Sequence, residues 1–359
     1  MSEAQKRAYV LADNKLAENA GWDRELLAIE LGTLAGADLD FDLGVIGFDA
    51  SEIDLIIEEA AASDTNVPED EVLPELDETA VTRPGDLWQL GPHRLLCGDV
   101  RDAAAMASLM RDDRARLVFT DPPYNVRIDG HVCGSGKVRH REFAMASGEM
   151  DAATFTGFLA DAFDRMAAAS VDGSIHFICM DWRHMGEILQ AGRAVYSELK
   201  NLIVWAKDNG GMGTFYRSRH ELVFAFKHGT APHLNTFGLG EGGRYRTNVW
   251  EYRGISSGGT QRLEELALHP TVKPVAMIAD ALRDCSRRGD VVLDGFGGSG
   301  STLIAAERTG RRARLVEIDP VYVDRSIRRW QAISKDDAVL VSTGDTFARH
   351  AAAAQREAG

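Results

Sequence analysis

Asp121, Pro122, Pro123 and Tyr124 stand together directly after a short apolar run, Ala115-Arg116-Leu117-Val118-Phe119. Two prolines fix the backbone and lack amide donors, so their carbonyls remain as acceptors aimed outward. Asp121 adds a carboxylate acceptor, and Tyr124 adds a flat face. An exocyclic amino group on a base offers two donors beside a ring that can stack. Acceptors from Asp121 and the Pro122 carbonyl, with Tyr124 beneath the ring, would hold such a group and favour lone-pair density on its nitrogen. The same four residues would also serve as a rigid proline turn ending a strand.

A second constellation runs Asp294-Gly295-Phe296-Gly297-Gly298-Ser299-Gly300-Ser301-Thr302, after Val291-Val292-Leu293 and before the helical Leu303-Ile304-Ala305-Ala306-Glu307. A strand feeding a glycine-rich turn into a helix lets a ligand approach the backbone closely. The next apolar run, Ala313-Arg314-Leu315-Val316, ends at Glu317. That carboxylate follows the glycines at nearly the spacing of roughly 20 residues expected for a group gripping ribose hydroxyls. No Gly-Lys-Ser/Thr closes the loop, so a nucleoside suits it better than a phosphate. A turn needed only for helix–strand packing is the plainer alternative.

Both constellations need strands to carry them. Short apolar runs, including Ile175-His176-Phe177-Ile178-Cys179, alternate with helix-like stretches such as Phe155 to Ala168. This alternation predicts an α/β fold with a mostly parallel sheet covered by helices. Ligands of such sheets bind beyond the carboxyl ends of the strands, so both sites can face one cleft. Residues 1–62 predict a small helical segment: Trp22 to Leu27 opens one helix, and Ser51 caps another running to Ile57. Residues 63–85, with three prolines and many acids, read as an extended acidic linker. The α/β domain is expected over 86–333, with a target-recognition region near 208–268 and a carboxyl-terminal extension over 334–359.

The net charge of -15 over 359 residues taken as a whole argues against a polyanionic partner, but its distribution reverses this. Residues 1–90 carry 22 acidic and five basic side chains, whereas 91–359 carry 33 acidic and 35 basic. Within 200–262, nine Lys/Arg face four Asp/Glu. Whole-chain charge therefore reports on the amino-terminal piece, which would hold nucleic acid off. Deleting residues 1–80 is expected to leave the main domain folded and to relieve that exclusion. Cys97, Cys133, Cys179 and Cys285 are far apart and lack metal-ligand spacing, so no metal is expected. No apolar run approaches the roughly 18 residues of a membrane helix. A reducing, cytoplasmic setting without a membrane partner is expected.

Taken together, the motifs resemble a known family. DPPY at 121–124 with FGGSG at 296–300 resembles the S-adenosylmethionine-dependent amino-methyltransferases of DNA. The order, target-amine motif first and cofactor loop last, is similar to the beta group. Leu95-Leu96-Cys97-Gly98-Asp99 resembles the family's opening strand, whose Asp contacts the cofactor adenine. His269-Pro270-Thr271-Val272-Lys273-Pro274 resembles the segment that closes over the methionine end. Val204-Trp205-Ala206-Lys207 and Tyr216-Arg217-Ser218-Arg219-His220-Glu221 resemble its central strands and the loop between them. The likeness covers nearly all of 86–333. Further upstream, Ala8 to Ala17 with Gly21-Trp22-Asp23 resembles the trailing part of a ParB-like domain, and no activity is carried over for it.

The resemblance implies a Rossmann-like, circularly permuted sheet and S-adenosyl-L-methionine as cofactor. It also implies extrusion of the target base from double-stranded DNA, with direct in-line transfer to its amino group. Catalytic roles fall to Asp121, Pro122, Pro123 and Tyr124. Cofactor contacts fall to Asp99, Thr271, Lys273, Asp294, Phe296, Gly298, Ser299, Gly300, Ser301 and Glu317. No thiol nucleophile is required, and none of the four cysteines follows a proline, as the attacking thiol does in enzymes that methylate cytosine carbon.

Asp at the first motif position implies adenine N6 as the target, with cytosine N4 as the alternative. A DNA-binding or partition-associated module that has lost catalysis is the alternative of another class. Arg127, Lys137, Arg139 and His140 lie among glycines, as expected of a loop above the target. Lys207, Arg217, Arg219, Arg244 and Arg246 stand among Tyr216, Tyr245, Trp250 and Tyr252, a mixture that can pair phosphates and stack bases. The interval from Glu221 to His269 is short for a recognition region, which predicts a short site or a homodimer. No endonuclease constellation is evident, so a restriction partner would be a separate chain.

Overall fold

The computed structural model describes residues 3–16, 24–35, 41, 43–48, 52–54, 56–57, 68–74, 79–126, 146, 148–208, 210, 215–237, 245–253 and 272–358. Ten strands form one sheet: β1 Leu87–Leu90, β2 His93–Cys97, β3 Ala115–Thr120, β4 Ser170–Met180, β5 Glu198–Ala206, β6 His220–Lys227, β7 Val249–Glu251, β8 Val291–Asp294, β9 Arg312–Glu317 and β10 Val339–Leu340. Their order is β10-β1-β2-β9-β8-β3-β4-β6-β5-β7. The five central strands β2, β9, β8, β3 and β4 run parallel. Antiparallel pairing follows on either side, at β1–β2, β1–β10, β4–β6 and β5–β6, and the edge strand β7 runs parallel to β5.

The central strands are short apolar runs because both of their faces are covered. Leu117 and Phe119 of β3 enter one core, while Ala115 and Val118 enter the other. The first core is closed by α6 Val275–Cys285, α7 Ser301–Thr309 and α8 Pro320–Ser334. The second is closed by α3 Ala103–Met110, α4 Ala152–Ala168 and α5 Met185–Val195. Aspartates at positions 102, 151 and 319 cap α3, α4 and α8, each accepting from a backbone N–H of the first turn. The expected α/β architecture is present, with the glycine-loop strand late in the chain but central in the sheet.

Before the sheet come α1 Glu3–Leu16 and α2 Arg24–Ala35, which share a small core of their own around Leu27, Leu31 and Phe48. Parts of the segment expected as a linker are docked. Val81 and Thr82 donate backbone N–H groups to Asp324 on α8 at 2.6 and 3.0 Å. The expected carboxyl-terminal extension adds β10 to the sheet edge. Phe347, which opens α9 Phe347–Ala358, packs edge-on against Trp88 at 5.3 Å. Ser51 lies outside the described residues. No helix among the described residues is long and apolar enough to cross a membrane.

Candidate active site

β3 and β8 are neighbours, so the tetrapeptide after one and the glycine bend after the other emerge side by side. A hydrogen bond joins them: Thr120 Oγ1 donates to Asp294 Oδ1 at 2.8 Å. Thr302 at the start of α7 donates to Asp294 Oδ2 at 2.6 Å, and Phe296 N donates to Oδ1 at 3.0 Å. Asp294 therefore ties strand, bend and helix together. Burial pushes its carboxyl up to about 6, against the pull of these three donors.

One cavity lies over this junction. Its walls include Asp121, Pro122, Pro123 and Tyr124 on one side, and Asp294, Phe296, Gly298, Ser299 and Ser301 on the other. Asp99, Lys273 and Glu317 complete the set. Gly300 turns the chain into α7 from a left-handed conformation (φ 80°), where a Cβ would strike Ser326 Oγ at 2.8 Å. Thr271 lies outside the described residues.

Sequence alone does not reveal the charge network behind Asp121. Lys273, with only 4% of its side chain exposed, reaches Asp121 Oδ2 at 2.6 Å and Glu221 Oε2 at 3.1 Å. Tyr124 donates its hydroxyl to Asp121 Oδ1 at 2.6 Å. Lys207 bonds the other oxygen of Glu221 and lies over the Trp205 ring. Two carboxylates thus share two ammonium groups. Burial raises the Asp121 carboxyl; Lys273 opposes that rise and Glu221 adds to it. Burial also pushes Glu221 upward, but Lys273 and Lys207 outweigh it and hold that carboxyl at about 2. The two acids are driven apart by their surroundings, Asp121 upward and Glu221 downward.

The remaining cavity acids are also engaged. Glu317 accepts from Gly298 N at 2.7 Å and Asp319 N at 2.8 Å, while burial pushes it up to about 7. Asp99 is gripped by Arg101 at 2.7 Å; burial raises its carboxyl, but the guanidinium holds it below the usual range. Cys179 is buried near Asp121, and burial pushes its thiol well up, so it stays protonated. No group of three or more His, Cys, Asp or Glu among the described residues is arranged to hold a metal ion.

The expected DNA contacts divide. Arg217 and Arg219 are exposed on the loop between β5 and β6, where Arg219 Nε donates to the Lys207 carbonyl at 3.1 Å. The same loop carries Phe215 and Tyr216, 87% and 83% exposed with ring centroids 4.3 Å apart. Lys207 points inward to Glu221. Arg246 is a correction: it bonds Asp284 at 3.0 Å and Tyr252 at 3.1 Å and covers Trp250, so it is a structural cation with 16% of its side chain exposed. Trp250 and Tyr252 belong with it, packed with the core. Arg127, Lys137, Arg139, His140 and Arg244 lie outside the described residues. Glu221 had one signal in the sequence, a charge opening the apolar run Leu222 to Phe226.

Two acceptor-bearing loops over one cavity in a central parallel sheet define a class, and comparison with known proteins names it. The N6/N4 family described as DNA methylase matches residues 115–328, and the chain belongs to that family. A second family, described as the ParB-methyltransferase HTH domain, matches residues 25–84, downstream of the residues that carried the ParB likeness. Type II methyltransferase M2.MboI of Moraxella bovis is 23% identical over 238 residues, covering 63% of this chain and 84% of that protein. Type II methyltransferase M.ScaI of Streptomyces caespitosus is 34% identical over 90 residues, 25% of this chain and 30% of that protein. A DNA modification methylase structure from Thermus thermophilus, complexed with S-adenosyl-L-methionine, superposes with a TM-score of 0.43 at 22% identity. The match covers 67% of this chain and 93% of that one.

Proposed function

We propose that this DNA methyltransferase moves a methyl group from S-adenosyl-L-methionine to the N6 amino group of adenine in double-stranded DNA, with the target base turned out of the duplex. The observation that carries this reading is that Asp121–Tyr124 and the glycine bend line the same cavity. Its donor set suits the cofactor. Apolar Val100, Ile278 and Ile318 offer walls for a flat base, and the carboxylates of Asp99, Glu317 and Asp319 suit hydroxyls and a cation while repelling phosphate. Asp99, Phe296, Gly298, Ser299, Ser301 and Glu317 would hold it. When bound, the cofactor supplies an electrophilic methyl on a sulfonium.

The chain's own residues prepare the amino group. Each carboxylate oxygen of Asp121 accepts one internal hydrogen bond and keeps capacity for another. Asp121 and the Pro122 carbonyl accept the two amino hydrogens, and Asp121 then takes the proton released as nitrogen becomes methylated. Tyr124, held by its hydroxyl, presents a ring of fixed orientation for stacking. Lys273 is assigned to positioning and charge balance at Asp121, a different duty from a direct cofactor contact. Phe215, Tyr216, Arg217 and Arg219 face the DNA.

Asp121 at the first motif position supports adenine over cytosine N4. Nucleoside analysis of DNA exposed to the protein and S-adenosylmethionine, with sequencing to map the modified positions, tests the reading. N6-methyladenine is expected; N4-methylcytosine would transfer the reading to cytosine, and an unmodified product would favour a non-catalytic DNA-binding module.

A further inference from the structure

The acidic segment ahead of the sheet is fastened to the catalytic domain through its carboxylates. Asp54 receives Arg311 at 2.8 Å and Arg288 at 2.9 Å, with Arg311 fully buried. A 3-10 turn at Pro68–Glu71 makes the closer connection. Asp70 takes Arg308 Nε at 3.0 Å and its terminal nitrogen at 2.5 Å, and the Asp70 carbonyl accepts from Arg329 at 2.6 Å. Arg329 is buried and donates, with its other nitrogen, to the Ser299 carbonyl at 3.0 Å and Ser301 Oγ at 3.2 Å. One guanidinium therefore spans from the turn to the glycine bend.

The adjacent residue reaches the other wall of the cavity. Glu71 Oε1 accepts from Val275 N at 3.0 Å across 204 residues. Val275 opens α6 two positions after Lys273, and Pro274 before it provides no side-chain cap. An orphan N–H at the positive end of a helix is thereby satisfied by a carboxylate from elsewhere in the chain.

We infer that the Asp70–Glu71 turn is a positioning strap, holding the Lys273 end of α6 and the glycine bend at fixed spacing. This rests on the cofactor reading above. Asp54, Asp70 and Glu71 belong to the acidic excess of residues 1–90, and they serve as internal ties. The expectation that residues 1–80 can be removed from an otherwise complete domain is revised: removal would take the Asp54 carboxylate from buried Arg311 and the Asp70 carbonyl from buried Arg329.

The test compares Glu71→Ala and Glu71→Gln in the full chain by titration calorimetry with S-adenosylmethionine, alongside duplex-DNA binding. Glu71→Ala is expected to weaken cofactor binding about fivefold, the equivalent of a lost helix cap. DNA affinity should stay within about twofold, and Glu71→Gln, which keeps the accepting oxygen, should restore the wild-type value. Unchanged cofactor affinity in Glu71→Ala, or an equal loss for DNA and cofactor, overturns the inference. Should Glu71→Ala not fold, hydrogen exchange on the wild type decides: cofactor should slow exchange at 68–71 and at Val275 together, and no change at 68–71 is the overturning result. A wild-type chain that fails to bind S-adenosylmethionine defeats the cofactor reading instead.

Discussion

Thr120 and Asp294 stand 174 residues apart in sequence, yet the threonine hydroxyl donates to the carboxylate at 2.8 Å. Their bond is the seam between the acceptor turn and the glycine bend, and both groups are buried. Thr120→Val keeps the shape and removes the donor, leaving a buried carboxylate short of one partner. A stability loss of about 1–3 kcal/mol is expected from urea unfolding. An unfolding midpoint equal to wild type would show that the seam contributes little.

Lys273→Met should be more damaging. It leaves Asp121 without its ammonium and Glu221 with Lys207 and the Tyr124 hydroxyl. Removing one member of a buried ionic cluster typically costs about 3–5 kcal/mol. Methyl transfer should fall by about a hundredfold or more, a barrier increase of roughly 3 kcal/mol. Turnover near wild type in a folded variant would contradict the positioning role.

The opposed shifts of the two carboxyls set a pH prediction. Activity should rise with pH as Asp121 ionises, because an ionised carboxylate is the better acceptor. Glu221 raises the Asp121 carboxyl, so Glu221→Gln should move this acid limb to lower pH. Rate profiles of single-turnover methylation would show it. A limb that stays put, or moves upward, would mean that another group controls it.

Glu317 and Asp294 predict a stability trend of definite sign. Their folded-state values are raised to about 7 and about 6, from ordinary values of 4.5 and 3.8. The folded chain therefore binds these protons more tightly than the unfolded chain. Their contribution is fully present below the unfolded values and is lost as pH rises through about 6 and 7. Melting temperatures of Glu317→Gln should gain on wild type between pH 5 and pH 8. A constant difference across that range would remove Glu317 as the source.

The exposed Phe215–Tyr216 pair predicts a defect confined to DNA. Replacing both with alanine should raise the KM for duplex by about tenfold, in line with stacking worth roughly 1–3 kcal/mol per base. Cofactor affinity measured by calorimetry should not change. Equal KM values would assign the pair to another surface.

What the sequence discloses is what local chemistry encodes. Prolines after an apolar run, and glycines between a strand and a helix, are punctuation whose backbone consequences do not depend on distant neighbours. The two loops and the cavity that they share are legible for that reason. Glu221 is not, because its role depends on β6 pairing antiparallel with β4, which places it behind Asp121. Arg246 misleads because a guanidinium among aromatics looks the same whether it awaits a phosphate or serves Asp284. Asp54, Asp70 and Glu71 resemble solvated acids until folding brings up arginines and a helix start more than 200 residues away.

The threading of the sheet has a consequence for synthesis. β9 lies between β2 and β8, and β8 lies between β9 and β3, so the first strands made lack these neighbours until the last third of the chain follows. A polypeptide still emerging from the ribosome short of Glu317 has an acceptor turn but no wall opposite. The cleft therefore awaits synthesis through Glu317, and a product terminated before that residue would be inert and not merely unselective.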